Sequence, residues 1–434
     1  MKSVPREGIY SVTVPGAVDA WATALRECGT IKLAQALEAA IDYAGGFPIY
    51  ESFSGLLAAP AFQETADDSL AQIYLPNGRA PMPGDWLVQE DLAESLYLLA
   101  RGGVGAFYRG QIAQGIVACS RERGGLFTPE DFADHTSTWV KPISSVYRGY
   151  RVYALPPNSQ GLALLLALNL VEDYDLANLG HNGADYIHLL AEALKLALAD
   201  RDKYVADPYF VDVPLEKLLS KEYAAQCGRR IEAMGATSGG RAGGMPRGEV
   251  GGAYVGVVDG KGNAVSLMQS LGGLLGSGLV AASTGIVLQN RGAVFSLDGK
   301  HINRLEPAKR PYHDLSPAMA FWGHNPCLVF GSLGGDGQVQ AILQALNNLV
   351  VFGMSIQEAV EAPRWSVGGE GELRMEDSIS PEVQGALERK GHRVVLVGDW
   401  SEEVGGLQGI VVDRARGVLM GGADPRCDAY AVGW

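Results

Sequence analysis

A break in pattern at residues 234–252 constrains this chain more than any other feature. The stretch MGATSGGRAGGMPRGEVGG is glycine-rich and nearly free of large apolar side chains, so it reads as a flexible linker. Before it the apolar residues recur at helical spacing. Ile187, Leu190, Ala191, Leu194 and Leu198 fall on one stripe, with Asp185, Glu192 and Lys195 off it, which predicts a helix from Ala184 to Asp200 limited by Pro208. Gly16 to Glu27 (entered by Pro15), Gln89 to Gly102 and Phe107 to Glu122 are further predicted helices. After the linker the period turns to two. Ala253 to Val258 and Ala264 to Ser270 flank the turn cluster Asp259-Gly260-Lys261-Gly262-Asn263, which predicts a β-hairpin. Ile286 to Leu288, Cys327 to Phe330, Arg393 to Val397 and Gly409 to Val412 read as later strands. Ala341 to Phe352 and Ser380 to Lys390 read as helices, the second with a Ser-Pro-Glu start. The chain therefore divides into a mostly helical part at 1–233, a linker at 234–251 and a β-rich part at 252–434. A linker that ends where a strand begins is a plain loop, a domain boundary or a processing site.

Composition narrows the function classes. At 434 residues, 47% hydrophobic and 19% charged, the chain is an ordinary globular protein with material for a large core. The net charge of −14 argues against nucleic acid, because phosphate binding needs clustered Lys and Arg; a small anionic substrate remains compatible. No apolar run approaches the ~18 residues of a membrane span, and MKSVPREGIYSV lacks a signal-peptide core. Five scattered cysteines without a CxxC pair fit a reducing, cytoplasmic setting. The seven histidines show no metal-ligand spacing such as HExxH, so neither metal nor cofactor is expected.

Nine stretches taken in order carry a family resemblance. They are Ser11-Val-Thr-Val-Pro-Gly16, Phe107-Tyr-Arg-Gly110, Pro156-Pro-Asn-Ser-Gln-Gly161, the run from Glu192 to Pro208, Val257 to Ser266, Gly276-Ser-Gly278, Lys309-Arg-Pro311, Gly334-Gly335 and Ala423-Asp-Pro-Arg426. In this order they resemble the γ-glutamyltranspeptidases, a family of N-terminal-nucleophile hydrolases. The resemblance implies an α+β fold, a four-layer αββα sandwich, built as one domain. It also implies a precursor that cuts itself into a large subunit, ending in the linker, and a small one starting at residue 252. Gln289-Asn-Arg-Gly292 and Arg310-Pro-Tyr-His313 look closest to the oxamate amidohydrolase branch. A homodimer is compatible with the family.

The chemistry of such a site can be stated from the residue types alone. A Thr at the start of a strand attacks the carbonyl before it, and the chain breaks there. The freed Thr then carries a hydroxyl nucleophile and its own α-amine, which titrates near ~7.7–8.0 and serves as base. Paired glycines let two backbone N–H groups approach an oxyanion. In the family the nucleophile stands seven residues before the Asp of the VVD motif, and counting back from Asp259 gives Gly252. Between Ser238 and Ser266 no Ser, Thr or Cys offers a substitute. In subtilisin, loss of the nucleophile costs on the order of 10⁶ in kcat. If Asp259 faces Ala264, antiparallel register sets Gly252 opposite Leu271 with Ser270 beside it. The resemblance implies that Ser270 bonds the nucleophile and that Gly334 and Gly335 hold the oxyanion. Without it, Ser270 reads equally as a solvated strand end and GSLGGDG as a plain turn.

The substrate pocket departs from the glutathione pattern. The family's glutamyl-holding Asn aligns with Gly272, its ammonium-pairing Asp with Val294, and its two serines with His313 and Asp314. A γ-glutamyl donor therefore gives way to a small acidic amide. Asn290 and Arg291 are the candidates to hold it, Arg291 through its planar fork, although a structural ion pair explains Arg291 equally well. His313 beside Asp314 reads as a general base or, more simply, as a pocket wall. The family also has strands before the SVxVPG motif, so the fold is expected to be incomplete at the N-terminus. The leading expectation is an amidohydrolase or acyltransferase relative that is inactive as written. The alternatives are a non-catalytic ligand-binding homologue and an engineered nucleophile-less precursor.

Overall fold

The protein, as a computed structural model, is described at residues 3–233, 250–281 and 283–434; the predicted linker lies outside the described residues as far as 249. Two compact units are formed. The first comprises the residues up to Trp139 together with Leu271–Ala293, and the second comprises Val140–Ser270 and Val294–Trp434.

The first unit is helical: α1 (Ala17–Cys28), α2 (Leu33–Ala44), α3 (Glu90–Gly102) and α4 (Gln111–Glu122). Their inward stripes bury Val18, Leu37, Leu99, Ile112 and Ile116, and Leu288 from the returning segment joins the same core. The predicted helix Phe107–Glu122 is broken. Val104–Tyr108 forms a short helix of its own, and Gly110 turns extended before α4. A side chain at Gly110 would meet the Ala106 carbonyl at 2.6 Å, so glycine permits this corner. Val280–Ala281 pairs with Ile286–Val287, and the Ser95 hydroxyl donates to the Thr284 carbonyl at 2.8 Å, holding that hairpin to α3.

The second unit holds β1 (Ile143–Tyr147), β2 (Tyr150–Ala154), α5 (Gly161–Val171), α6 (Ala184–Tyr204), β3 (Val250–Val258) and β4 (Ala264–Gly273, whose last three residues belong to the first unit). It continues with β5 (Ala318–Trp322), β6 (Asn325–Leu333), α7 (Gly337–Val350), β7 (Gly406–Asp413) and β8 (Val418–Ala423). One antiparallel sheet runs β8-β7-β6-β5-β2-β1. Strands β1 and β2 lie in the part of the chain expected to be helical. Strand β1 pairs with β2 across a short turn, and the other partner of β2, β5, stands more than 160 positions later, beyond the reach of local pattern. Helix α5, GLALLLALNLV, has no polar stripe because every one of its residues is buried.

Alternation along β6 places two layers on the sheet's opposite faces. Phe330 joins the core formed with α5, α6 and α7. Its neighbour Gly331 points the other way, where a Cβ would lie 2.3 Å from the Tyr254 ring of β3. The β3–β4 hairpin therefore packs on the face away from the helices, at a separation that glycine sets. Glu192 and Lys195, expected off the apolar stripe of α6, are buried and paired with each other at 2.7 Å. The Ser-Pro-Glu start is observed: Ser380 accepts from the Val383 amide at the head of the helix Pro381–Arg389.

Candidate active site

The hairpin closes one residue tighter than a 259–264 pairing. The Asp259 N–H donates to the Asn263 carbonyl at 3.0 Å, and the Asp259 carboxylate takes the Lys261 and Asn263 amides at 2.9 Å each. These bonds hold the Asp259 carboxyl below its usual range, the contacts with Asn263 first among the causes. The tighter turn brings Ser270, rather than Leu271, against Gly252. A Cβ built on Gly252 would lie 3.7 Å from Ser270 Cβ, 3.4 Å from the Gln269 carbonyl and 3.5 Å from Leu333 Cδ2. The Ser270 hydroxyl donates to the carbonyl of Gly251, the residue just before Gly252.

Leu333 ends β6, and Gly334 and Gly335 form the turn into α7. Their φ values are +111° and +56°, a region L side chains seldom adopt. A Cβ on Gly334 would also stand 3.0 Å from Gly405 Cα. Among the described residues, neither glycine N–H has a backbone acceptor. With the N-terminus of α7 behind them, the two donors form a cradle suited to an anion.

A buried polar lattice fixes this turn. Gln160 Nε2 donates to the carbonyls of Gly335 at 2.9 Å and Asp314 at 2.7 Å. Arg201 grips Asp336 in a fork, at 2.6 and 3.2 Å, and donates to Gln160 Oε1 at 3.0 Å. Its guanidinium also stacks 5.5 Å from the Tyr312 ring centre. Burial acts to lower the Arg201 pKa, but Asp336, Tyr312 and Asp202 outweigh it and raise it well above its ordinary value. Burial drives the Tyr312 hydroxyl well above the tyrosine range. Sequence reasoning singled out none of Gln160, Arg201, Tyr312 or Asp336. Their motifs were visible, but their partners are separated by up to 175 positions.

His313 and Asp314 lie in the same unit as Gly252, Ser270, Gly334 and Gly335. His313 is half-buried and bonded through its backbone to Asn158, while Asp314 is buried beside Gln160. Asn290 and Arg291 belong to the other unit. There the Asn290 carbonyl accepts the Gly273 amide at 2.8 Å, and its NH₂ donates to the Arg6 carbonyl at 2.9 Å. A Cβ at Gly272 would fall 2.1 Å from Asn290 Oδ1, at φ +92°. Any side chain at 272, such as the Asn of the glutathione pattern, is sterically barred while Asn290 holds that place.

One group among the described residues has metal-capable atoms gathered from afar. His188, Glu192 and His392 bring ligand atoms within 4.8 Å of one another. The buried Lys195 ammonium sits 2.7 Å from Glu192, so a cation would meet a resident positive charge. His188 Nδ1 and His392 Nε2 instead share a 2.8 Å hydrogen bond.

Comparison with known proteins agrees with this geometry. The family model described as Gamma-glutamyltranspeptidase matches residues 1–434. The chain is 43% identical to a glutathione hydrolase-like YwrD proenzyme of Bacillus subtilis, over 99% of this chain and 82% of that one. It is 33% identical to an oxamate amidohydrolase proenzyme of Klebsiella pneumoniae, over 100% and 83%. Among solved structures, a cephalosporin acylase from Bacillus halodurans superposes with a TM-score of 0.92 at 37% identity, over 100% of this chain and 80% of that one.

Proposed function

The chain belongs to the gamma-glutamyltranspeptidase family, and from that premise we propose that it is an amidohydrolase or acyltransferase frame for a small acidic amide that lacks its reacting atom. The observation that carries this reading is Gly252, set in van der Waals reach of Ser270 and of Leu333, the residue that directly precedes the Gly334–Gly335 cradle. Gly251 and Gly252 occupy the processing position, and a glycine can neither cut the chain nor attack a substrate. The parts 1–233 and 252–434 therefore correspond to the large and small subunits of a proenzyme that stays in one piece.

The finer architecture follows the same reading. A four-layer αββα sandwich places the helices, the six-stranded sheet and the hairpin as successive layers. The outward face of the hairpin bears Val255, Val257, Val265 and Leu267, each 41–51% exposed, which is the apolar surface a further layer would cover. In this frame His313 and Asp314 serve the substrate, and Ser270 the nucleophile. A denaturing gel of the purified protein tests the proposal. A single band is expected, and two bands split before residue 252 overturn it. Binding of a small amide without turnover supports the non-catalytic alternative.

A further inference from the structure

A cleft of about 620 Å³ opens in the second unit between Pro156-Pro157, Tyr209-Phe210 and the segment at Val140-Lys141. Its position follows from strand direction. Strand β5 pairs antiparallel with both β2 and β6, so β2 and β6 run the same way and end at the same edge of the sheet. Register makes the placement finer. Ala154 is level with Ala318, and Ala318 with Phe330, which sets Pro156 and Pro157 level with Ser332 and Leu333. Two inter-strand spacings separate them, about 10 Å. Pro156-Pro157, one edge of the cleft, therefore stands at the same sheet edge as the strand end that leads into the Gly334–Gly335 turn, and Gln160, three residues past Pro157, is bonded to Gly335 itself.

The walls are largely apolar and aromatic, with Lys141 and Asp212 among them, and the rings are held in place. Arg310 stacks 5.3 Å from the Tyr209 ring centre, and the Lys309 ammonium lies 5.4 Å from that of Phe210. Lys309 is buried and fixed by the Ile302 carbonyl and Glu306, at 2.9 and 3.0 Å. Yet the rings stay accessible: Tyr209 is 72% and Phe210 38% exposed. Rings held in place yet left wet, at the sheet edge from which the glycine turn departs, are a surface that gains by being covered.

We infer that this cleft is a specificity subsite for an aromatic-ring-sized apolar group on the amide substrate. The inference rests on the reading of the cradle given above, and it adds a substrate class: amides with a small anionic end and a bulky apolar end. The group can stand on the acyl side or the amine side of the amide bond, and the test separates these.

Calorimetry on the uncut protein would compare N-acetylglycine with N-phenylacetylglycine, which carries the ring on the acyl side, and N-acetylphenylalanine, which carries it on the amine side. One ring-bearing ligand should bind about tenfold more tightly than N-acetylglycine, the scale of a partly buried ring. Tyr209→Ala and Phe210→Ala should each reduce that margin and leave N-acetylglycine unchanged. Both side chains are exposed enough for truncation to spare the fold, which circular dichroism checks. A wild type with no preference for either ring, or a preference that survives both variants, overturns the inference. Cleavage regained in Gly252→Thr alongside such a result would leave the functional reading standing; no cleavage, with the ring preference intact, would sink that reading and keep the cleft.

Discussion

Replacing Gly252 by threonine should restore self-cleavage, and the surroundings say what it should cost. Gly252 lies in strand β3 outside the left-handed region, so a β-branched residue adopts its backbone without strain. The first added atom meets neighbours at 3.4, 3.5 and 3.7 Å, which is ordinary contact. The overpacking penalty of about 1–3 kcal/mol that crowded cores exact should therefore be absent. Glycine to threonine in a strand moves along a propensity scale spanning about 1 kcal/mol, so stability should hold or rise slightly. The new hydroxyl would stand next to the Gly251 carbonyl, which Ser270 already polarises. Gel electrophoresis and intact mass should show two fragments, Met1–Gly251 and 252–434, and the cleaved form should recover much of the factor on the order of 10⁶ that a hydroxyl nucleophile provides. Gly252→Ala should remain one chain. A Gly252→Thr protein that folds, melts no lower than the parent and still runs as one band would refute the claim that only the nucleophile is missing.

Three further outcomes are expected. In the Gly252→Thr background, Ser270→Ala should slow cleavage by about 10²–10³, the usual loss for one donor to a developing oxyanion, read from the rate at which the precursor band disappears. Arg201→Met should destabilise the fold by about 3–5 kcal/mol, because it strands Asp336 without its buried partner; urea melts would show it, and an unchanged midpoint would argue against the lattice. His392 is held down to about 4 by burial first and then by Lys195 and His188, so it is neutral in the fold while the unfolded chain takes up a proton near 6.5. Its contribution is present above pH 6.5 and is lost as the pH falls toward 4; melting temperature should drop across that window, and less steeply in His392→Leu, with parallel profiles counting against the assignment.

Local pattern made part of this molecule legible. The stripe on α6 and the Asp259–Asn263 turn announce themselves because a helix and a tight hairpin satisfy their backbone bonds within a few residues. The glycine at 252 could be reached by counting from a motif seven residues away. Other parts left no local trace. Helix α5 is apolar all round because neighbours cover every face, so no period distinguishes it. Strand β2 needed β5 to join the sheet, and the one-residue difference in hairpin register turned on the carboxylate of Asp259.

Sequence by itself determined the family, the hairpin around Asp259–Asn263 and the absence of a hydroxyl at 252, since each is a matter of residue identity along the chain. Tertiary structure alone decided that Ser270 lies against Gly252, that Gln160 and Arg201 fix the glycine turn, and that Asn290 closes Gly272 to any side chain. Those are questions of which distant groups come within 3–4 Å, and burial, not spacing, settles them.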